Sequence, residues 1–116
     1  MLFLEYPPCS TCKKAKAWLD ERGIAYEARH IKEENPTYEE LKAWYERSGM
    51  PLKKFFNTSG LLYKSLNLKD RLKDLSEEEQ LRLLASDGML VKRPLVITEQ
   101  VILAGFREKE WEKLEE

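Results

Sequence analysis

The chain has 116 residues, 42% of them hydrophobic and 35% charged, with a formal net charge of -1. That length and composition describe one globular domain with enough apolar residues to build a core without disulfide or metal staples. The charge balance lacks the basic excess of a nonspecific nucleic-acid binder, and no apolar run approaches the ~20 residues of a membrane helix.

In chain order, Leu2-Phe3-Leu4-Glu5-Tyr6 is a short apolar run that fits a buried strand, ended by Pro7-Pro8. A helix is predicted from about Ser10 to Arg22, with Ala15, Trp18 and Leu19 on one face and Gly23 at its C′ position. Ile24 to Ile31 alternates loosely, with Ile24, Tyr26 and Ala28 on one face, and predicts a second strand. Strand, helix, strand implies parallel pairing through a right-handed crossover.

Asn35-Pro36 breaks the pattern, and Thr37 with Glu40 three residues on is a capping-box signal for a helix carrying Leu41, Trp44 and Tyr45. That helix should stop near Gly49 and Pro51. Phe55, Phe56, Leu61, Leu62 and Leu66 suggest short helical turns. Ser76 with Glu79 is a second capping box, followed by a stripe of Leu81, Leu84 and Ala85 that closes at Asp87-Gly88. The stretch from about Thr37 to Gly88 therefore reads as helical throughout.

Leu95-Val96-Ile97-Thr98 and Val101-Ile102-Leu103-Ala104 read as an antiparallel hairpin, although Glu99-Gln100 is poor chemistry for a two-residue turn and a longer loop is open. A last helix is expected over Glu108 to Leu114, with Trp111 and Leu114 facing inward. Trp18, Trp44 and Trp111 fall at core spacings. The acidic runs Glu77-Glu78-Glu79 and Glu115-Glu116 read as solvated helix faces or ends.

The only two cysteines, Cys9 and Cys12, form a C-x-x-C between the first strand and the first helix. On a β-α-β skeleton this reads as a thioredoxin-like redox motif. A free thiol titrates at about 8.5, and a helix start or a C-x-x-C can lower this to roughly 3.5–7.5. Cys9 is the expected nucleophile and Cys12 the shielded resolving thiol, with Lys13 and Lys14 adding positive charge one turn away. Two buried, inert cysteines are the plainer alternative. Zinc needs four ligands, and two cysteines with the single histidine, His30, fall short of that number. His30 itself reads as a surface or half-buried side chain. Without a basic, apolar leader the chain is expected to be cytoplasmic, where a close cysteine pair is more often catalytic, sensing or metal-binding than structural.

These residues resemble the ArsC/Spx family. The resemblance rests on Tyr6-Pro7-Pro8-Cys9-Ser10-Thr11-Cys12-Lys13-Lys14-Ala15, on Arg93-Pro94-Leu95, on Gly105-Phe106, and on Lys53-Lys54-Phe55-Phe56-Asn57-Thr58-Ser59-Gly60, and it covers essentially the whole chain. It implies an α/β, thioredoxin-like (glutaredoxin-like) mixed four-stranded sheet with an all-helical insertion. The half-sheets would occupy about 1–32 and 90–116, and the insertion about 36–89. It also implies a cis-proline at Pro94 facing the cysteine loop, with Arg93 in reach of an anion; a trans proline and a solvated arginine are the alternative.

One branch of that family reduces arsenate with glutathione and glutaredoxin. Its single nucleophilic cysteine matches Cys9. Of its three oxyanion-holding arginines, Arg93 matches one, Arg107 is a candidate for a second, and the third falls at Asn57. The other branch carries the C-x-x-C as a disulfide switch and binds the C-terminal domain of the RNA polymerase α subunit.

The resemblance thus implies a thiol-disulfide redox protein with Cys9 and Cys12 catalytic. Ser10, Thr11, Lys13, Arg93 and Pro94 would line an anion or substrate site. No bound cofactor or metal is expected, and glutathione, glutaredoxin or thioredoxin would be the reductant. The implied partners are a small thiol or redox protein, an oxyanion, or the RNA polymerase α subunit, with no direct contact to nucleic acid or membrane.

Overall fold

The computed structural model describes residues Met1–Glu115. Four strands form one mixed sheet in the order β2-β1-β3-β4, with β1 Leu2–Glu5, β2 Glu27–His30, β3 Leu95–Ile97 and β4 Ile102–Ala104. β1 pairs parallel with β2, and β1–β3 and β3–β4 are antiparallel. The expected parallel crossover and hairpin are both present.

Strand side chains alternate between two faces, and this divides the core in two. Phe3, Val96 and Leu103 lie side by side across the sheet and pack against Ala15, Trp18 and Leu19 of helix α1 (Ser10–Glu21) and Trp111 of helix α6 (Glu108–Trp111). Leu4, Leu95 and Ile102 point the other way. They meet Leu41 and Trp44 of α2 (Tyr38–Ser48), Leu68 of α4 (Leu68–Arg71), and Leu81 and Leu84 of α5 (Glu77–Ser86). All three tryptophans are core residues, as their spacing suggested. Among the described residues no helix is long and apolar enough to cross a membrane.

Both capping boxes form. The Thr37 hydroxyl accepts from the Glu40 amide at 3.1 Å while the Glu40 carboxylate accepts from the Thr37 amide at 3.0 Å. Ser76 and Glu79 repeat the arrangement at 3.1 and 2.9 Å. Each supplies partners for amides that the first helical turn leaves open. Gly23 and Gly49 close α1 and α2 at φ +65° and +70°, a region that favours glycine. Gly88 has a different reason: a Cβ there would lie 1.8 Å from the carbonyl oxygen of Ile31, so only a glycine lets the end of α5 meet the segment leaving β2.

The structure departs from expectation in two places, β2 and the stretch 37–88, and in the hairpin it takes the longer loop that the sequence left open. β2 starts at Glu27, not Ile24, because Ile24 and Tyr26 are apolar for their packing under α1 and α6 rather than for strand pairing. Ala28 is exposed. The stretch 37–88 is not continuously helical: Leu52–Phe55 is a 3-10 turn, α3 spans only Leu61–Ser65, and between them Phe56 bridges to Val91. The hairpin loop is longer than Glu99-Gln100. The Thr98 hydroxyl accepts from the Gln100 and Val101 amides, and this bends the chain over four residues. At the C-terminus, Glu115 pairs with Arg22 at 2.7 Å, and Glu116 lies outside the described residues.

Candidate active site

Pro7 and Pro8 lead out of β1 and deliver Cys9 to the N-cap of α1, where its backbone is extended (φ -72°, ψ 124°). The Cys9 amide donates to the Tyr6 carbonyl at 2.8 Å, and the Cys9 carbonyl accepts from the Lys13 amide at 3.0 Å. The thiol therefore stands at the open amide end of a 12-residue helix whose first turn carries no acidic residue. Such an end carries partial positive charge and stabilises an anion.

Partial burial pushes the Cys9 thiol up. The Cys12 amide and thiol, the Thr11 amide and the Arg93 side chain hydrogen-bond the thiolate and outweigh that effect, so the Cys9 pKa is lowered. Cys12 sits three residues on, fully buried. Burial drives its pKa up to about 12, against the opposing hydrogen bond from the Tyr6 amide, which reaches Cys12 Sγ at 3.5 Å. A negatively charged neighbour at Cys9 raises it further. The pair is differentiated as a nucleophile and a resolving thiol require: one half-buried and inclined to ionise, one shielded and protonated. Both are free thiols.

The Arg93–Pro94 peptide bond is cis, as the resemblance implied. It immediately precedes β3, and the Arg93 side chain shares the cleft with Cys9. The guanidinium lies 5.0 Å over the Tyr6 ring, and its Nη1 donates to the Met89 carbonyl at 3.5 Å. The Gly105 amide donates to the Pro94 carbonyl at 2.8 Å, and the Trp111 indole N–H donates to the Gly105 carbonyl at 3.1 Å. This chain of bonds ties the loop after β4, with Phe106 and Arg107, to the proline turn.

A cleft of about 910 Å3 opens at Cys9. Thr11, Arg93, Arg107, Lys53, Lys54 and Asn57 are among the residues that line it. Of the residues singled out in the sequence, Cys9, Thr11, Arg93, Arg107 and Asn57 line this cleft. Ser10 and Lys13 are exposed on the first turn of α1 outside its lining, and Pro94 is buried beneath it. His30 takes no part: its Nδ1 accepts from the Lys32 and Glu33 amides at 3.2 Å, and its ring stands edge-on to Tyr6.

Reading the sequence by element did not bring Lys53, Lys54 and Lys92 into the site. Their signal was present in the adjacent cations Lys53-Lys54 and Lys92-Arg93, but only the Phe56–Val91 bridge shows that the two pairs face one cleft. Arg107 joins them at the rim. Asn57 is buried, and its amide occupies space that glycine leaves open: a Cβ at residue 60 would lie 2.6 Å from Asn57 Nδ2. Among the described residues no cluster of His, Cys, Asp and Glu suits a metal ion.

Replacing Arg93 by glutamine should raise the Cys9 pKa, because it removes a charged donor to the thiolate. In a Cys12→Ser background, the pH midpoint of Cys9 alkylation by iodoacetamide should move upward. Rates of the two proteins should differ most near pH 7 and converge at alkaline pH, where both thiols are ionised. An unchanged midpoint would mean that Arg93 does not face the sulfur.

The ArsC family model matches residues 4–114. The chain is 55% identical over 113 residues to Bacillus subtilis YusI, covering 97% of this chain and 96% of that one. It is 33% identical over 104 residues to the global transcriptional regulator Spx of Enterococcus faecalis, covering 90% of this chain and 77% of Spx. An ArsC-family-related protein from Bacteroides fragilis superposes with a TM-score of 0.95 at 61% identity, over 97% of this chain and 95% of that one. An arsenate reductase from Vibrio cholerae does so at 0.85 and 27% identity, over 97% and 95%. With the four-stranded mixed sheet, the helical insertion and a match over nearly its whole length, this chain belongs to the ArsC family.

Proposed function

We propose that the protein is a thiol-disulfide oxidoreductase in which Cys9 attacks and Cys12 resolves. The single observation that carries this reading is the unequal pair: Cys9 ionisable and open to a cleft, Cys12 buried one turn behind it with its pKa pushed up to about 12. Cys9 thiolate attacks one sulfur of a substrate disulfide. A Cys9–substrate disulfide forms, and the second substrate sulfur leaves as a thiolate that takes a proton from water. Cys12 then loses its proton and attacks Cys9 Sγ, forming Cys9–Cys12 and releasing the first substrate thiol. The negative charge at Cys9 disappears in the mixed disulfide, so one of the lesser influences raising the Cys12 pKa is relieved at the step that needs its thiolate, while burial, the main one, remains. Glutathione, glutaredoxin or thioredoxin would return the pair to the dithiol.

Arsenate is the oxyanion to test beside disulfides, since a cleft that holds Cys9 together with Arg93 and Arg107 suits such an anion. The test is turnover of arsenate and of a small disulfide with each of the three reductants, followed by NADPH consumption in the coupled system. Disulfide turnover dependent on Cys9 is expected. A folded protein inert toward both substrates with all three reductants overturns the reading.

A second reading is a redox-sensing regulator that binds the RNA polymerase α C-terminal domain. It is favoured by the 33% identity to Spx together with the paired cysteines. Binding of that domain to the oxidised and reduced protein, followed by calorimetry, distinguishes it. Absence of binding in both states removes it.

A further inference from the structure

The cleft at Cys9 is lined by five cationic side chains, Lys53, Lys54, Lys92, Arg93 and Arg107, against one acidic residue, Glu110. The chain as a whole carries a net charge of -1. A concentration of positive charge in one concave place, within a slightly acidic protein, raises the local concentration of anionic partners and their rate of arrival. A single tetrahedral anion at the sulfur is too small to meet all five of these cationic side chains at once. The volume of about 910 Å3 lies at the upper end of the range that holds drug-sized ligands, far more than one oxyanion fills.

Two further features point to the kind of ligand. Asn57 is buried at the cleft wall, where Gly60 leaves space for its amide; a neutral amide there suits a peptide group better than a charge. Leu61 is next in sequence to the lining residue Gly60 and is 86% exposed, the one large hydrophobic side chain so exposed among the described residues. A spread of lining cations, a neutral side-chain amide and an exposed apolar residue adjacent in sequence to the lining together match an extended polypeptide rather than an inorganic ion.

We propose that the occupant of this cleft is an acidic polypeptide segment carrying the disulfide that Cys9 attacks. This rests on the thiol-disulfide reading above and names its substrate class. Carboxylates flanking the substrate cysteine would lie along the lining cations Lys53, Lys54, Lys92 and Arg107. The chemistry is the exchange already written: the peptide disulfide is reduced to two thiols as Cys9 and Cys12 become a disulfide.

The test uses the full chain with Cys12→Ser, so that the reaction stops at the mixed disulfide. Three eight-residue peptides, each with one cysteine activated as a thiopyridyl disulfide, carry Glu/Asp, Ser/Gln or Lys around that cysteine. Release of thiopyridone gives the second-order rate. The acidic peptide should react roughly 10-fold faster than the neutral one at low salt, and the basic peptide should be slowest. The spread should shrink near 1 M salt, where the screening length falls to about 3 Å. In Lys53→Glu/Lys54→Glu, confirmed as folded by circular dichroism, the acidic-to-neutral ratio should collapse to about one or invert.

Equal rates for the three peptides overturn the proposal, as does an acidic preference that survives the double charge reversal. Glutathione disulfide reacting as fast as the acidic peptide also overturns it, since a tripeptide would then suffice. Hydroxyethyl disulfide separates the two levels. Reaction with it but indifference to peptide charge removes this inference alone, whereas a Cys9 inert to every disulfide removes the oxidoreductase reading as well.

Discussion

A Cys9→Ser protein should lose thiol-disulfide exchange to the uncatalysed background, while Cys12→Ser should keep the first step and accumulate a stable mixed disulfide. The asymmetry follows from position. Cys9 caps α1 at the mouth of the cleft, where amide donors and Arg93 favour its thiolate; Cys12 is sealed behind it. A serine hydroxyl at position 9 is not ionised near neutral pH and is no substitute for a thiolate. Mass spectrometry after mixing with a small disulfide reads both outcomes. The Cys12→Ser protein should gain one adduct, the unsubstituted protein should lose two hydrogens, and Cys9→Ser should remain unchanged. An adduct on Cys12 in the Cys9→Ser protein would invert the assignment.

Trp111→Ala should be among the most destabilising single substitutions in the chain. Trp111 is fully buried, with its ring 4.8 Å from Phe106, 5.7 Å from Trp18 and 6.3 Å from Phe3, all near perpendicular. Truncating a buried aromatic of this size costs about 3–5 kcal/mol. That is a large fraction of the 5–15 kcal/mol typical of a whole domain. The thermal midpoint should fall by roughly 10–30 °C. Trp111→Phe separates packing from hydrogen bonding. It keeps most of the ring contacts but leaves the Gly105 carbonyl without its indole donor, at a cost of about 1–3 kcal/mol. Because that bond anchors the loop bearing Phe106 and Arg107, the milder variant should also change Cys9 reactivity in the folded state. Thermal denaturation and iodoacetamide kinetics on the same sample read the two effects.

What could be read from the residues was the local chemistry. Thr37 with Glu40, and Ser76 with Glu79, announce helix starts because the capping bonds close within three residues. The C-x-x-C between a strand and a helix places Cys9 at the N-cap position of α1, although its side chain makes no capping bond of the Thr37 or Ser76 kind. Ile24 and Tyr26 misled because an apolar side chain packed against helices has the same periodicity as one in a strand. The part of the cleft lined by Lys53, Lys54 and Asn57 was the hardest to foresee. Lys53, Lys54 and Asn57 are placed there by the Asn57 amide bonding the Leu90 carbonyl, the Lys92 amide bonding the Phe55 carbonyl, and the Phe56–Val91 bridge. Those partners are more than thirty residues apart in sequence, and no local pattern encodes them.

The alternation along β1, β3 and β4 sends Phe3, Val96 and Leu103 to one side and Leu4, Leu95 and Ile102 to the other, so the two hydrophobic clusters share no buried side chain. Substitutions in one cluster and in the other should therefore sum with little coupling energy. The block that carries Lys53, Lys54 and Asn57 can diverge to suit a new partner while the layer supporting the reactive sulfur keeps its packing, which gives one scaffold room to serve as a reductase in one lineage and as a regulator in another.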